Sequence, residues 1–94
     1  MDSDERLLER FLEGEEQAFE ELVRRHEAPM RGLAYGFVRD RGLAEDIAQD
    51  SFLRAYRKAR SFRGQGAVRS WLYRIVVNRA QDELRRIKRK RKIP

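Results

Sequence analysis

Residues Asp46–Arg86 read DIAQDSFLRAYRKARSFRGQGAVRSWLYRIVVNRAQDELRR, and the fold follows from how this stretch is parsed. On its N-terminal side Ile47, Phe52, Leu53 and Tyr56 recur near helical spacing. On its C-terminal side Trp71, Leu72, Ile75, Val76, Ala80, Leu84 and Ile87 do the same. Between them Ser61-Phe62-Arg63-Gly64-Gln65-Gly66 holds one aromatic ring and two glycines, a poor bridge between helices. The pattern predicts one helix over roughly 43–59 and another from about Ala67 to about Arg89, joined by a ring-bearing bend.

Working outward, Asp40-Arg41-Gly42 reads as a turn, with Asp40 capping the helix that follows. Upstream, Ala18, Phe19, Leu22 and Val23 begin a stripe that Met30, Leu33, Ala34, Phe37 and Val38 continue. Pro29 interrupts this stripe by removing one backbone hydrogen bond. The apolar phase is kept across it, so one kinked helix is predicted rather than two. Gly36 is read there as a point of close helix approach. Residues 3–13 form a short amphipathic helix with Leu7, Leu8, Phe11 and Leu12 on one side, capped by Ser3 or Asp2 and ended at Gly14. Packing, rather than a separate partner, is the preferred use of that stripe. At the other end, Arg85–Lys92 is almost wholly basic and is predicted to fray or to run on as a linker. No strand pattern or repeat stands out. The fold class is therefore all-α, a compact bundle of about four helices.

The chain has 94 residues, enough for one domain with a thin core. It has no cysteine, which excludes disulfides and thiolate metal sites and fits a reducing cytoplasm. No apolar run approaches the roughly 20 residues of a membrane span, and the acidic N-terminus does not read as a signal peptide. The net charge of +6 is unevenly spread. Residues 1–53 hold 7 basic and 14 acidic side chains, whereas residues 54–94 hold 15 basic and 2 acidic. An acidic end and a strongly cationic end are implied, and the second suits a polyanion such as nucleic acid.

Nothing in the sequence assembles an enzyme. His26 is the sole histidine and is read as a surface or helix-packing residue. Glu45, Asp46 and Asp50 are closely spaced but lie in no metal-loop or phosphate-loop pattern. Neither a metal nor another cofactor is expected. Asp46, Gln49 and Asp50 share one helix side, which Leu53, Tyr56 and Arg57 extend. Such a face can be merely solvated, or it can dock on a basic helix. Phe62 can plug the bundle or wall a pocket. Ser70, Arg74, Asn78, Gln81 and Arg85 form a polar stripe opposite Trp71, Leu72, Ile75, Val76 and Ala80. Amides that both donate and accept, beside guanidinium groups, are what reading a base edge and holding a phosphate require. Tyr73 is near enough in phase to stack on a base. Trp71 is read as core rather than as a wedge into nucleic acid.

Three segments, AEDIAQDSFLRAYRKA, SFRG and WLYRIVVNRAQDELRR, follow one another in order, with AFEELVRRHE upstream. Together they resemble region 2 of bacterial RNA polymerase sigma factors of the extracytoplasmic-function (group IV) class. The resemblance covers nearly the whole chain and implies a sigma region 2-like fold over residues 1–94. Asp46, Gln49 and Asp50 match the family's D-x-x-Q-E/D positions, which bind the clamp coiled coil of the polymerase β′ subunit. Tyr56 falls where the family places an apolar or aromatic contact. The bend matches a loop that holds a flipped base of the promoter minus-ten element, which would put Phe62 and Arg63 at the DNA. Asn78 matches the asparagine of R-I-x-x-N on the helix that engages the non-template single strand. Tyr73, Arg74 and Gln81 join it there, with Arg85, Arg86, Lys88 and Arg89 as phosphate contacts. Gln65 replaces a common acid and Val68 a common aromatic, so the preferred base is left open. The resemblance brings three partners into view: core RNA polymerase, promoter DNA and an anti-sigma factor. It implies a cytoplasmic protein. The domain that reads the minus-35 element in such proteins is expected to be absent here. Two other classes stay open on the residues themselves, an all-helical protein-interaction module and a helix-turn-helix duplex binder.

Overall fold

A computed structural model describes residues 1–64 and 66–92. Gln65, the bend position read as replacing an acid, and Ile93-Pro94 lie outside the described residues. In chain order the helices are α1 (Asp4–Leu12), α2 (Glu16–Val38), α3 (Arg41–Lys58) and α4 (Val68–Lys92), with a 3-10 turn at Ala59–Ser61. The all-α bundle expected from the sequence is the fold found. α2 lies centrally and packs against α1, α3 and α4.

Local chemistry sets the boundaries. The Ser3 hydroxyl accepts from the Arg6 N–H at 3.0 Å and starts α1. Gly14, at φ 112°, lets the chain leave it. Asp40 caps α3 by accepting from the Leu43 N–H at 2.9 Å. The cap is as read, but Arg41 and Gly42 belong to the helix rather than to a turn. α2 runs unbroken through Pro29, as one helix. Gly36 is exposed, and an added Cβ there would meet nothing within 4 Å, so it does not mark a close helix contact. α4 continues to Lys92, where fraying or a linker was expected. Long unbranched Arg and Lys side chains are good helix formers, and a helix already nucleated on the core propagates at little cost.

The core joins Leu7 and Leu8 of α1 with Phe19, Leu22 and Met30 of α2, Ile47 and Phe52 of α3, and Val68, Leu72 and Val76 of α4. On its buried side α3 offers mainly small residues, Ala44, Ala48, Ser51 and Ala55, which permit close helix approach. The Ser51 hydroxyl, fully buried, donates to the Ile47 carbonyl at 2.7 Å. The acids of α1 tie it down. Asp4 meets Arg25 at 3.1 Å and His26 at 2.8 Å on α2. His26 is thus a packing residue, 7% exposed, with Tyr73 of α4 edge-on to its ring. Glu5 accepts from the Val68 N–H at 2.8 Å, so a side chain of α1 caps α4.

Candidate nucleic-acid interface

Two exposed surfaces flank the core, one on α3 and one formed by the bend and α4. On α3, Asp46, Gln49, Leu53, Tyr56 and Arg57 all lie exposed. Leu53 is 55% exposed. Beside it a groove of about 370 Å³ is lined by Phe19, Val23, Gln49, Phe52, Leu53 and Tyr56. Tyr56 is held by its surroundings. Its ring lies 5.1 Å from Phe11 and 5.4 Å from Phe19, and its hydroxyl donates to Glu16 at 3.0 Å. That bond to a carboxylate raises the phenol's pKa above its ordinary value. Gln49 donates to Glu45 at 3.3 Å. The side chains of Asp46 and Arg57 have no hydrogen-bond or ion-pair partner among the described residues.

Asp50 departs from the simple picture of an open docking face. Its Oδ2 accepts from Arg79 Nε of α4 at 2.9 Å and lies 3.0 Å from Arg54 Nε. Arg79 Nη1 in turn donates to Glu83 at 3.1 Å, and Glu83 also pairs with Arg86. Glu83 is 4% exposed. Its carboxyl is held below the usual carboxylate range, chiefly by the bond from Arg86 and further by Arg79, against the opposing effect of burial. The Arg79 guanidinium is raised against its own desolvation by Glu83 and Asp50.

In the bend, Phe62 is half-buried with its ring 5.3 Å from Trp71, itself half-buried against the core. One side of Phe62 therefore braces α4. It also lines a recess of about 310 Å³ with Arg63, Gly64, Glu5, Leu8, Glu9 and Leu12. The two readings of this ring, plug and pocket wall, meet in one residue. Gly64 and Gly66 sit at φ 75° and 86°, where side-chain-bearing residues are strained. An added Cβ at either would meet nothing within 4 Å, so the backbone there stands open to an incoming group.

Along α4, Ser70, Arg74, Asn78, Gln81 and Arg85 are exposed, as their spacing predicts. The side chains of Arg74, Asn78 and Gln81 have no hydrogen-bond or ion-pair partner among the described residues. Arg85 pairs with Asp82 at 2.7 Å, and Arg86 is engaged by Glu83. Tyr73 is half-buried, with the Arg69 guanidinium 5.4 Å from its ring centre. It lines a shallow concavity of about 600 Å³ with Ala67, Arg69, Ser70, Arg74 and Val77. Val68, at the position of a common aromatic, is fully buried and serves the core. Sequence reading missed Arg79 and Glu83. The available signal was an acid following Val68, Leu72, Val76 and Ala80 in the buried phase, where Leu84 had been expected and is only half-buried. It also missed Asp4 and Glu5, whose partners are distant in sequence.

Among the described residues no group of three or more His, Cys, Asp or Glu side chains could hold a metal ion. No described helix is long and apolar enough to cross a membrane.

Residues 22–90 match Sigma-70 region 2, and the chain belongs to that family. It is 41% identical over 83 residues to the RNA polymerase sigma-H factor of Pseudomonas aeruginosa, covering 88% of this chain and 43% of that protein. It is 46% identical over 86 residues to the ECF RNA polymerase sigma factor SigM of Mycobacterium tuberculosis strain H37Rv, covering 92% and 44%. The chain thus spans less than half the length of these relatives. An NMR structure of an engineered region 2 of sigmaE in complex with GTAAAA superposes with a TM-score of 0.86 at 34% identity, covering 98% of this chain and 96% of that one.

Proposed function

We propose that this chain captures the promoter minus-ten element as an unpaired non-template strand while docked on core RNA polymerase, and so acts in transcription initiation. The bend and α4 take the DNA. An extruded base enters the recess beside Phe62 and Arg63, and Asn78, Gln81 and Arg74 read or hold the bases that follow. Tyr73 supplies a stacking surface, and Arg85 and Arg86 meet phosphates. The α3 face, with Asp46, Gln49, Asp50, Leu53, Tyr56 and Arg57, takes the β′ clamp coiled coil. Charge sets register there, and the exposed leucine beside an apolar groove supplies buried area. The work is done by binding. Holding bases out of the duplex shifts the equilibrium toward the open promoter. Such a protein acts in the cytoplasm, and an anti-sigma factor is a further partner.

One observation carries this reading: α4 presents an exposed Arg74-Asn78-Gln81 stripe with no side-chain partner among the described residues, and the bend that leads into α4 walls a recess with Phe62. Its support is the likeness to a sigmaE region 2 solved with GTAAAA. The test compares fluorescence anisotropy of labelled single-stranded GTAAAA, the same sequence as duplex, and a scrambled single strand, at low and physiological salt. Tighter binding of one single-stranded sequence supports the reading. Equal binding of all three, or preference for duplex, overturns it and favours a general basic surface or a duplex binder.

A further inference from the structure

The core under α4 changes character along its length. Val68, Leu72, Val76 and Ala80 are buried apolar positions, but the next residue in that phase is Glu83. From there the contact with α3 passes to charge, because Arg79 spans from Glu83 on its own helix to Asp50 on α3. The two bonds leave from different nitrogens of one planar guanidinium, so they fix its orientation, which a single ammonium could not do. Asn78 and Gln81 sit within this same turn, at the level where apolar packing ends. Asp50 uses only Oδ2 in these contacts, and its side chain is 39% exposed.

Building on the proposed reading of DNA by α4, we infer that Asp50, Arg79 and Glu83 are positioning residues for base recognition. They hold the middle of α4 in the rotation that aims Asn78 and Gln81 at the bases. Asp50 then serves the DNA-reading surface although it sits on the docking helix and touches no nucleotide. Removing any member lets α4 rotate and slide over its small Ala80 contact. Phosphate attraction does not depend on such aim, but base discrimination does.

The test uses the 94-residue chain without polymerase. Affinities for single-stranded GTAAAA, used as the cognate probe, and for a scrambled single strand are measured for the wild type, Asp50→Asn, Arg79→Gln, the double variant, and Glu20→Gln as an exposed control with no partner among the described residues. Helicity and Tm are followed in parallel. The cognate-to-scrambled ratio is expected to fall about threefold or more in each single variant, with the double variant no worse than the singles. The salt dependence of scrambled-strand binding stays as in the wild type. An unchanged ratio in folded variants, or additive losses in the double, overturns the inference, as does a lowered Tm with the ratio intact. If Arg79→Gln fails to fold, Arg79→Lys takes its place in the cycle, since it keeps the charge but loses the planar fork that fixes orientation. A wild type without sequence preference is a separate result and sinks the function reading itself.

Discussion

The α3 face and the α4 face are both exposed helical surfaces, yet they are supported in opposite ways. On α3, the outward Tyr56 is braced by Phe11 and Phe19 and bonded to Glu16, and Leu53 borders an apolar groove. That surface is preorganised and partly apolar, as a protein partner requires. On α4, Arg74, Asn78 and Gln81 have no such bracing, and basic residues follow to Lys92. That surface is exposed, cationic and free to bond, as a nucleic acid requires. Exposure alone does not separate the two. What lies beneath each face does.

The strongest way to break the comparison is to remove the floor under one face. Leu72 is 1% exposed, and Leu72→Ala should cost about 2–5 kcal/mol of stability in denaturant unfolding, taking both functions with it. Next comes reversal of the docking charge. Asp46→Arg with Gln49→Ala should weaken polymerase pull-down about tenfold or more while leaving the single-strand affinity of the free chain unchanged. A parallel loss of DNA binding would mean that the two faces are not separable. Asn78→Ala is the converse probe, expected to cost about 1–3 kcal/mol of discrimination at one base with pull-down intact. Phe62→Ala should loosen both the recess and the Trp71 brace, so its loss of sequence preference should come with a lowered Tm.

Acid probes the link between the faces. Glu83 has its folded pKa depressed, so its contribution is present above the ordinary carboxylate value of 4.5 and is lost as pH falls through the lower folded value. The stability gap between wild type and Glu83→Gln should therefore be open at neutral pH and close in acid. A constant gap in Tm measured down the pH series would show that the carboxylate is not what holds α4 there. The smallest effect belongs to single tail cations. Arg89→Ala should weaken binding to all sequences alike and reduce the salt slope by about 0.7.

The helices were legible because their signals are local. Apolar spacing, the Ser3 and Asp40 caps, the glycines of the bend and the polar stripe on α4 each act within a few residues. The motif segments carried the family for the same reason, since their residues are contiguous. The basic composition of Arg85–Lys92 suggests fraying or a linker, yet the segment is helical because a helix nucleated on the core propagates into it. Glu5 capping α4, Asp4 on His26, and Arg79 spanning α3 and α4 could not be read from the sequence. An isolated carboxylate or guanidinium in a sequence looks solvated. Its partner is fixed only when helices from separate parts of the chain pack, and packing decides which charges must be neutralised and which stay free to bind. The sequence by itself determined the helices, their faces and the sign of each end. Tertiary structure alone decided that Asp50 of α3 bonds Arg79 of α4, because that bond exists only across the α3–α4 contact.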